Sequence, residues 1–550
     1  MLALPSRPVV RLAAALSFWA VAPALPAQVT LSHIVDAAPI PVGVLRVNVT
    51  NGWGRYDERF TASGTRALGD ELSTDSLGPR QFPALLPAEA GLQTLSNDPR
   101  TRLTLGRLAA ISNVRTVTTP IALEYGLTRR LSIGILIPVV QTRRAHSLVV
   151  NKDSGGNVTF IPSRSRTEAA NANQAVYAAL SKAADSLGTL ITRCPSNPSA
   201  SGCGAVNANP SDAASARAQA LAFANAVRSG LGTDTSTTLV APRSGSTLAT
   251  AIDAQRTAIN TRLQAYLGAG AGAVSGVFTS SSPFTYIDLQ GTSKSAGLLQ
   301  GPIGGGLDSI YTINPAARIN APSFGAQFLL FDRFQHDTLP PGHMQSRMMI
   351  GGSFRFASPL ADTLHTTLGV LSDVGAAVEA HSALDVISGR LGATVGVRYV
   401  QPFASTVFAP LFGDPEAAYP VPVFGLTQRT AGATIGLDLT PRYLIGDWFS
   451  VDGLYGFERT GAATYAPASV TPCANCEALI AASSVGSAHM VQRLGFGFRY
   501  STVESTARGK TGFPVEISFS HLDTITGDAG APKLSRDQIQ VRLFFRLRDQ

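Results

Sequence analysis

Residues 116–144 alternate between apolar side chains and polar or small ones. One side of the first run carries Val117, Thr119, Ile121, Leu123, Tyr125 and Leu127, and the second run has an apolar row of Leu131, Ile133, Ile135, Ile137 and Val139. A repeat of two residues is the period of a β-strand, because successive side chains of a strand point to opposite faces. Two such runs joined by a very short turn predict an antiparallel hairpin. Each run has about the 9–11 residues that a tilted strand needs to cross a bilayer.

The same alternation occurs once before the hairpin and repeatedly after residue 347. The further predicted strands are 42–61, 347–356, 364–371, 375–387, 390–401, 427–441, 448–459, 489–500, 513–522 and 537–547. Together with the hairpin they number about twelve, and single-chain bacterial barrels have an even number of strands. The pattern therefore predicts an all-β fold, a transmembrane antiparallel β-barrel of about twelve strands.

Residues 145–345 change to a helical rhythm. Apolar residues recur at spacings of three and four between 167 and 191, and further helices are expected at 211–227 and 248–267. These helices are Ala-rich with narrow apolar stripes, which predicts packing on one another or on the barrel rather than a large independent core. The expected organisation is a signal peptide (1–27), N-terminal barrel strands with a first long loop (28–144), a helical insertion (145–345) and C-terminal barrel strands (346–550).

The connection lengths predict an orientation. Short turns at 127–130, 358–362, 388–390 and 444–447 alternate with long loops at 63–112, 145–345, 402–426 and 460–487. Bacterial outer-membrane barrels place short turns in the periplasm and long loops outside. Both ends of the chain are then periplasmic, and the helical insertion is extracellular.

The N-terminus and the composition favour an exported barrel. Arg7 and Arg11 precede an apolar segment, and small residues follow it, which predicts cleavage after Ala27 or, alternatively, after Ala24. Only 15% of the 550 residues are charged, whereas about 25% is usual for soluble domains. No apolar run is long enough for a membrane helix. We therefore expect a location in the bacterial outer membrane, with the lipid bilayer as partner and no nucleic-acid partner.

Four cysteines form two closely spaced pairs. Cys194 and Cys203 lie in one predicted loop, and Cys473 and Cys476 form a C-x-x-C sequence in another. In an exported protein such pairs predict two local disulfides. A redox-active motif or half a zinc site are the alternatives for the second pair. Neither is favoured, because no βαβ pattern surrounds it and no other pair has zinc-site spacing.

The strand alternation also predicts the residues that face the barrel lumen. Ten charged residues are the principal candidates: Arg347, Arg355, Glu379, Asp385, Arg398, Asp452, Arg493, Arg499, Arg542 and Arg546. Glu124, Arg390, Asp438, Glu458 and Glu516 are expected on the same face. Two interpretations remain open. The charges form Arg–carboxylate ladders that stiffen the wall, or they line a pore and select polar or anionic solutes.

Enzyme signatures are absent from the sequence. It contains no Gly-x-Ser-x-Gly elbow in a suitable context, no His-Glu-x-x-His and no phosphate-binding loop. His381 and Ser382 are neighbours in a predicted strand and point to opposite faces, so they form no dyad. We predict that the chain is not an enzyme and needs neither a cofactor nor a metal ion.

Several strand segments carry a family resemblance. IALEYGLTRRLSIGILIPVV, VEAHSALDVISGRLGATVGVRYVQ, TIGLDLTPRYLIGDWFSVDGLYGFER and the terminal IQVRLFFRLR resemble outer-membrane barrels of the phenol-degradation-pathway transporter type, which are similar to long-chain fatty-acid channels. The resemblance covers the strands, about half of the chain, and not the insertion. The chain also ends in Leu-Arg-Asp-Gln rather than in the terminal aromatic residue of many such barrels.

Two classes of function follow from these features. The resemblance implies an outer-membrane channel or facilitated transporter for small, hydrophobic or aromatic, solutes. The alternative is a surface-exposed adhesion or interaction protein that the barrel only anchors. The size of the insertion favours the adhesion protein, and the shorter loops of the C-terminal half favour the channel.

Overall fold

The computed structural model is a β-barrel with a helical cap at one end. It describes residues 37–61, 63–151, 155–269, 274–291, 297–298, 317–334, 343–357, 375–411, 423–446, 448–467, 488–503, 506, 513–528 and 531–547. The predicted signal peptide and the pair Cys473 and Cys476 lie outside these residues. None of the helices in the described part of the chain is long and apolar enough to cross a membrane.

Twelve antiparallel strands form the barrel. They are β1 (Val44–Tyr56), β2 (Leu108–Gly126), β3 (Leu131–Val150), β4 (Ser323–Asp332), β5 (Gln345–Arg355), β6 (Ala377–Ser388), β7 (Leu391–Pro402), β8 (Thr434–Leu444), β9 (Phe449–Thr460), β10 (His489–Ser501), β11 (Val515–Gly527) and β12 (Ser535–Arg546). Each strand pairs with the next along the chain, and β12 pairs with β1 from Val44↔Arg546 to Arg55↔Ser535. The sheet is therefore closed, and the predicted fold class is confirmed.

The twelve strands are not quite the predicted set. Strand β4 lies inside the segment that was assigned to the helical insertion, so the predicted end of the insertion at residue 345 is wrong. Strand β3 continues to Val150, beyond the predicted boundary at residue 144. The predicted strand at 364–371 and the turn at 358–362 lie outside the described residues. The barrel closes without them.

The outer face of the barrel is apolar. Its exposed large side chains include Val49, Trp53, Leu123, Ile135, Phe324, Phe328, Ile350, Phe354, Val378, Val397, Tyr399, Ile435, Leu437, Leu439, Phe496, Phe498, Ile517, Ile539 and Phe545. Aromatic pairs lie near the short-turn end, with ring centroids 5.5 Å apart for Trp448 and Tyr500 and 6.0 Å apart for Phe513 and Phe545. A closed barrel with an apolar outer belt and aromatic residues at the interfaces is the architecture of proteins of the bacterial outer membrane.

The connections separate into two groups at the two ends of the barrel. The short connections β2–β3, β6–β7 and β8–β9 share one end with the start of β1 and the end of β12. The other end carries the first loop and the insertion. The general rule for outer-membrane barrels predicts that the first of these ends is periplasmic and the second extracellular.

The helical elements of the first loop and of the insertion form one body, which we call the cap (residues 68–107 and the described part of 155–298). Its helices are α1 (Leu86–Ser96), α2 (Arg166–Arg193), α3 (Cys203–Ala208), α4 (Pro210–Ala226), α5 (Thr247–Leu267) and α6 (Tyr286–Gln290). Shorter helical turns are Leu68–Leu72, Pro83–Leu85, Ser163–Ser165 and Val227–Leu231. Minor strands of the chain are Glu58–Thr61, Gly64–Ala67, Val158–Phe160, Val240–Pro242, Arg318–Ile319, Ser405–Leu411, Val423–Thr430 and Thr464–Pro467.

The cap has a larger hydrophobic core than the narrow apolar stripes predict. Fully buried side chains come from the first loop and from the insertion together, including Phe82, Leu92, Leu95, Leu180, Leu187, Phe223, Leu263 and Phe284. The first loop thus supplies the bulky residues that the Ala-rich helices lack. The predicted disulfide between Cys194 and Cys203 is present and joins the end of α2 to the start of α3.

The two faces of strand β8 should respond differently to the same substitution. Leu439 is exposed on the outer face, and the neighbouring Thr440 points inward. An arginine on the lipid face near mid-membrane costs about 2–4 kcal/mol, so Leu439→Arg should lower the urea midpoint of unfolding, followed by heat-modifiable gel mobility. Thr440→Arg is the matched control and should fold like the wild type. Equal losses in both variants would contradict the assigned faces.

Candidate functional site: the barrel lumen

The alternation along each strand separates a lipid-facing row from a lumen-facing row. In β7, Thr394, Arg398 and Val400 are buried, whereas Val397 and Tyr399 between them are exposed. A buried guanidinium needs a carboxylate or other acceptors close by, because burial of an unpaired charge is costly. The acidic residues of the neighbouring strands therefore decide what the lumen of this barrel contains.

One group of charges lies between β7 and β10. Arg398 Nη2 donates to Glu458 Oε2 at 2.7 Å, and Arg398 Nη1 donates to Asp438 Oδ2 at 3.1 Å. Arg493 Nη1 reaches the same Glu458 oxygen at 3.5 Å. Glu458 thus joins two arginines from opposite sides. The side chains of Arg398 and Glu458 are only 8% and 9% exposed, so this is a buried ion-pair group.

A second group extends the row from β8 to β12. Asp452 accepts from Arg442 Nε at 2.9 Å and pairs with Arg499 at 3.3 Å. Arg499 also lies 3.7 Å from Glu516, which accepts from Arg542 Nη1 at 2.9 Å. Acids and bases alternate across these five strands, so each buried charge has an opposite neighbour.

The described part of the wall carries further ion pairs between β1 and β2 and between β5 and β6. Arg46 Nε donates to Glu124 Oε2 at 2.7 Å, joining β1 to β2. On β5 and β6, Arg347 Nη2 donates to Asp385 Oδ2 at 2.7 Å, and Thr394 Oγ1 donates to Asp385 Oδ1 at 2.7 Å. The charged row therefore extends around most of the inner wall.

A segment at the start of the described chain lies inside the barrel near the short-turn end. Ala37 is fully buried against Met349 and Ala383, and its backbone N–H donates to Asp385 Oδ2 at 3.1 Å. At the other end of this segment, the Gly43 N–H donates to the Gly126 carbonyl at 3.0 Å. Gly126 lacks a side chain that would collide with the Pro41 carbonyl oxygen. The segment thus narrows the lumen between β2 and β6.

His381 faces the lumen, although the sequence pattern gives it no predicted role there. Its Nδ1 lies 3.1 Å from Glu379 Oε1, and its buried Nε2 has no hydrogen-bond partner in the described part of the protein. The imidazole fits against β5 because Gly351 has no Cβ at the point of contact. This ring nitrogen is a polar atom that a solute or a water molecule could satisfy.

The structure brings together most of the predicted lumen residues. Eight of the ten principal candidates take part in the contacts above: Arg347, Glu379, Asp385, Arg398, Asp452, Arg493, Arg499 and Arg542. Arg355 and Arg546 end their strands at opposite rims, and Arg546 is exposed. The expectation for Arg390 is wrong, because this residue is exposed in the turn between β6 and β7. Arg46 and Arg442 were missed, although the alternation of their own strands indicates them.

The cap packs onto the inner side of the barrel mouth. Strands β2 and β3 extend beyond their neighbours, and their inward residues Leu108, Ala110, Leu148 and Val150 contact the cap core. On the other side of the mouth, Phe60 of the first loop packs with Val491 of β10 and with Ala531. The cap therefore lies on the inner side of the β2–β3 extension, and the first loop also contacts the opposite side of the mouth.

Comparisons with known proteins return outer-membrane barrels. No protein-family model matches the chain, and no curated protein matches it. An outer membrane channel from Pseudomonas putida F1 aligns with 94% of this chain and 100% of its own at 8% identity and a TM-score of 0.40. A FadL homologue from Pseudomonas aeruginosa covers 92% of this chain and 90% of its own at 8% identity and a TM-score of 0.25.

An autotransporter barrel is also similar. The beta domain of BrkA from Bordetella covers 91% of this chain and 99% of its own at 8% identity and a TM-score of 0.26. The neighbours thus include both channels and an autotransporter barrel. Because all three TM-scores are below 0.5, the superpositions are loose, and function is inferred from the lumen itself.

Removal of the carboxylate shared by two arginines should destabilise the barrel. Glu458→Gln removes the carboxylate that Arg398 and Arg493 share, and loss of one partner from a buried ion pair costs about 3–5 kcal/mol. The urea concentration at the midpoint of unfolding should therefore fall clearly. Glu58→Gln breaks the exposed pair with Lys533 outside the lumen and should leave the midpoint unchanged. Equal midpoints for the two variants would show that the lumen pairs do not hold the wall.

Proposed function

We propose that the protein is an outer-membrane channel that passes small polar solutes. The observation that carries the proposal is the band of buried ion pairs around the inner wall of a closed twelve-stranded barrel. A barrel of this size is wider than the eight-stranded type that side chains fill and narrower than an open porin. Charged side chains at such a wall select solutes by charge. An enzyme is not needed to explain any of these features.

The charged wall bears on the class of solute. The family resemblance implies hydrophobic or aromatic compounds, which require an apolar binding surface. The mid-barrel wall instead presents guanidinium and carboxylate groups such as Arg398, Glu458 and Asp452. The chemistry of this wall supports small polar or charged solutes ahead of aromatic ones.

Solute uptake by proteoliposomes tests the channel proposal. Liposomes with the wild-type protein should swell faster in small sugars and amino acids than protein-free liposomes do. Arg398→Gln should change the relative rates of anionic and cationic amino acids, because it removes one positive charge from the wall. The proposal would be contradicted if liposomes with the wild-type protein swell no faster than protein-free liposomes, although heat-modifiable gel mobility shows that the barrel is folded.

We also propose that the cap controls entry into this channel. Helix α1 of the first loop meets the insertion at two glycines, and a Cβ on Gly91 would lie 2.5 Å from Gly230 Cα and 3.1 Å from the Ala226 carbonyl oxygen. This contact holds the two parts of the cap together without any side chain between them. Replacement of Gly91 by a residue with a side chain must therefore push α1 away from the insertion.

Gly91→Val should raise single-channel conductance in planar bilayers, because it loosens the cap over the mouth. Gly204→Val in α3 is the matched control, since a Cβ at this position meets nothing within 4 Å. It should leave conductance at the wild-type level. Equal conductance of both variants would contradict gating by the cap.

One observation favours an adhesion protein as the second candidate. The cap has its own buried core and a disulfide, which are features of a folded binding module. If Gly91→Val leaves conductance unchanged but abolishes attachment of the bacteria to a surface, the adhesion function is favoured over gating.

A further inference from the structure

Three arginines lie side by side on the outer face of the barrel. Arg55 of β1 is directly opposite Arg115 of β2, and Arg115 is directly opposite Arg143 of β3. All three are exposed. They occupy odd-numbered positions of their strands, as Trp53 and Leu123 of the apolar belt do, and side chains at these positions point out of the barrel. They therefore belong to the lipid-facing row and not to the charged lumen.

Salt bridges do not neutralise this row in the described part of the protein. Within the described part of the chain no salt bridge joins any of the three to a carboxylate. Asp523 of β11 exerts an electrostatic effect on the Arg55 end of the row, but Arg115 and Arg143 lie further along it. Like charges directly opposite each other in a sheet are destabilising. An external anion would remove this repulsion.

The height of the row matches the membrane surface. Tyr125 lies next to the short turn at the lower end of β2. Strands rise about 3.4 Å per residue and tilt by about 40°, so the ten residue steps from Tyr125 to Arg115 span roughly 26 Å along the membrane normal. The apolar belt of outer-membrane barrels is about 25 Å tall. Arg115 therefore lies at the upper edge of the belt, where lipid head groups begin and where an arginine costs little.

We propose that Arg55, Arg115 and Arg143 form a binding site for the phosphate group of a lipid in the leaflet on the cap side of the membrane. Guanidinium groups bind phosphate oxygens with paired, charge-assisted hydrogen bonds. A lipid is the expected source of the phosphate, because its acyl chains would continue down the apolar belt below the arginines. Bound lipid then neutralises the row and fixes the height of the barrel in the bilayer.

Native mass spectrometry of the full chain in neutral detergent tests this site. The probes are dimyristoyl phosphatidic acid and dimyristoylglycerol, which share acyl chains and differ in the phosphate. The wild type should bind phosphatidic acid about 100-fold more tightly than the glycerol lipid, since each of the three arginines near a membrane surface contributes roughly fivefold. Equal affinity for the two lipids would overturn the proposal.

The variants assign the binding to these residues. Arg55→Gln, Arg115→Gln and Arg143→Gln combined should remove the preference for phosphatidic acid, and the corresponding triple lysine variant should retain most of it. A matched control removes three exposed arginines from the short-turn rim, with Arg129→Gln, Arg130→Gln and Arg390→Gln, and should keep the preference. If the triple glutamine variant does not fold, Arg115→Gln alone should weaken binding several-fold.

Two further results would overturn the proposal. Persistence of the phosphatidic acid preference in the folded triple glutamine variant would place the lipid elsewhere. Full displacement of phosphatidic acid by millimolar inorganic phosphate would show a site for free anions, in which the acyl chains contribute nothing.

Discussion

The constraint on which the rest of the structure depends is that strands in lipid must satisfy every backbone hydrogen bond. Pairing of β12 with β1 achieves this by closing the sheet. Closure gives each strand one face toward lipid and one toward the lumen, so a single step in register would exchange them. The placement of Arg398 inside and Val397 outside follows from that geometry.

The charges inside the barrel follow from the same division of faces. A chain with few charged residues concentrates many of them in the lumen, where Glu458 and Asp452 each serve two arginines. Such shared pairs keep buried charges compensated. In the channel that we propose, the cap is a second point of control, because its core is anchored on the inner side of the β2–β3 hairpin that rises from the wall.

The two-residue period predicts most of the strands and their faces, and eight of the ten principal charged candidates take part in the described contacts along the inner wall. It misses β4, because the consecutive apolar residues Leu329, Leu330 and Phe331 hide the alternation. It also underestimates the cap core, since Leu92 and Phe223 belong to segments far apart in sequence. The contact of Ala37 with Asp385 depends on the three-dimensional path of the chain, and no local pattern indicates it.

Spin labels at eight consecutive positions of β8, residues 435–442, test the central claim most directly. The labels are attached to single cysteines in proteoliposomes, in a background with Cys473 and Cys476 replaced by serine. The account predicts a period of two, with odd positions accessible to oxygen from the lipid and even positions accessible to a water-soluble nickel chelate from the lumen. A profile without this period, or with the two sets exchanged, would contradict a lipid-facing apolar row around a charged, water-accessible lumen.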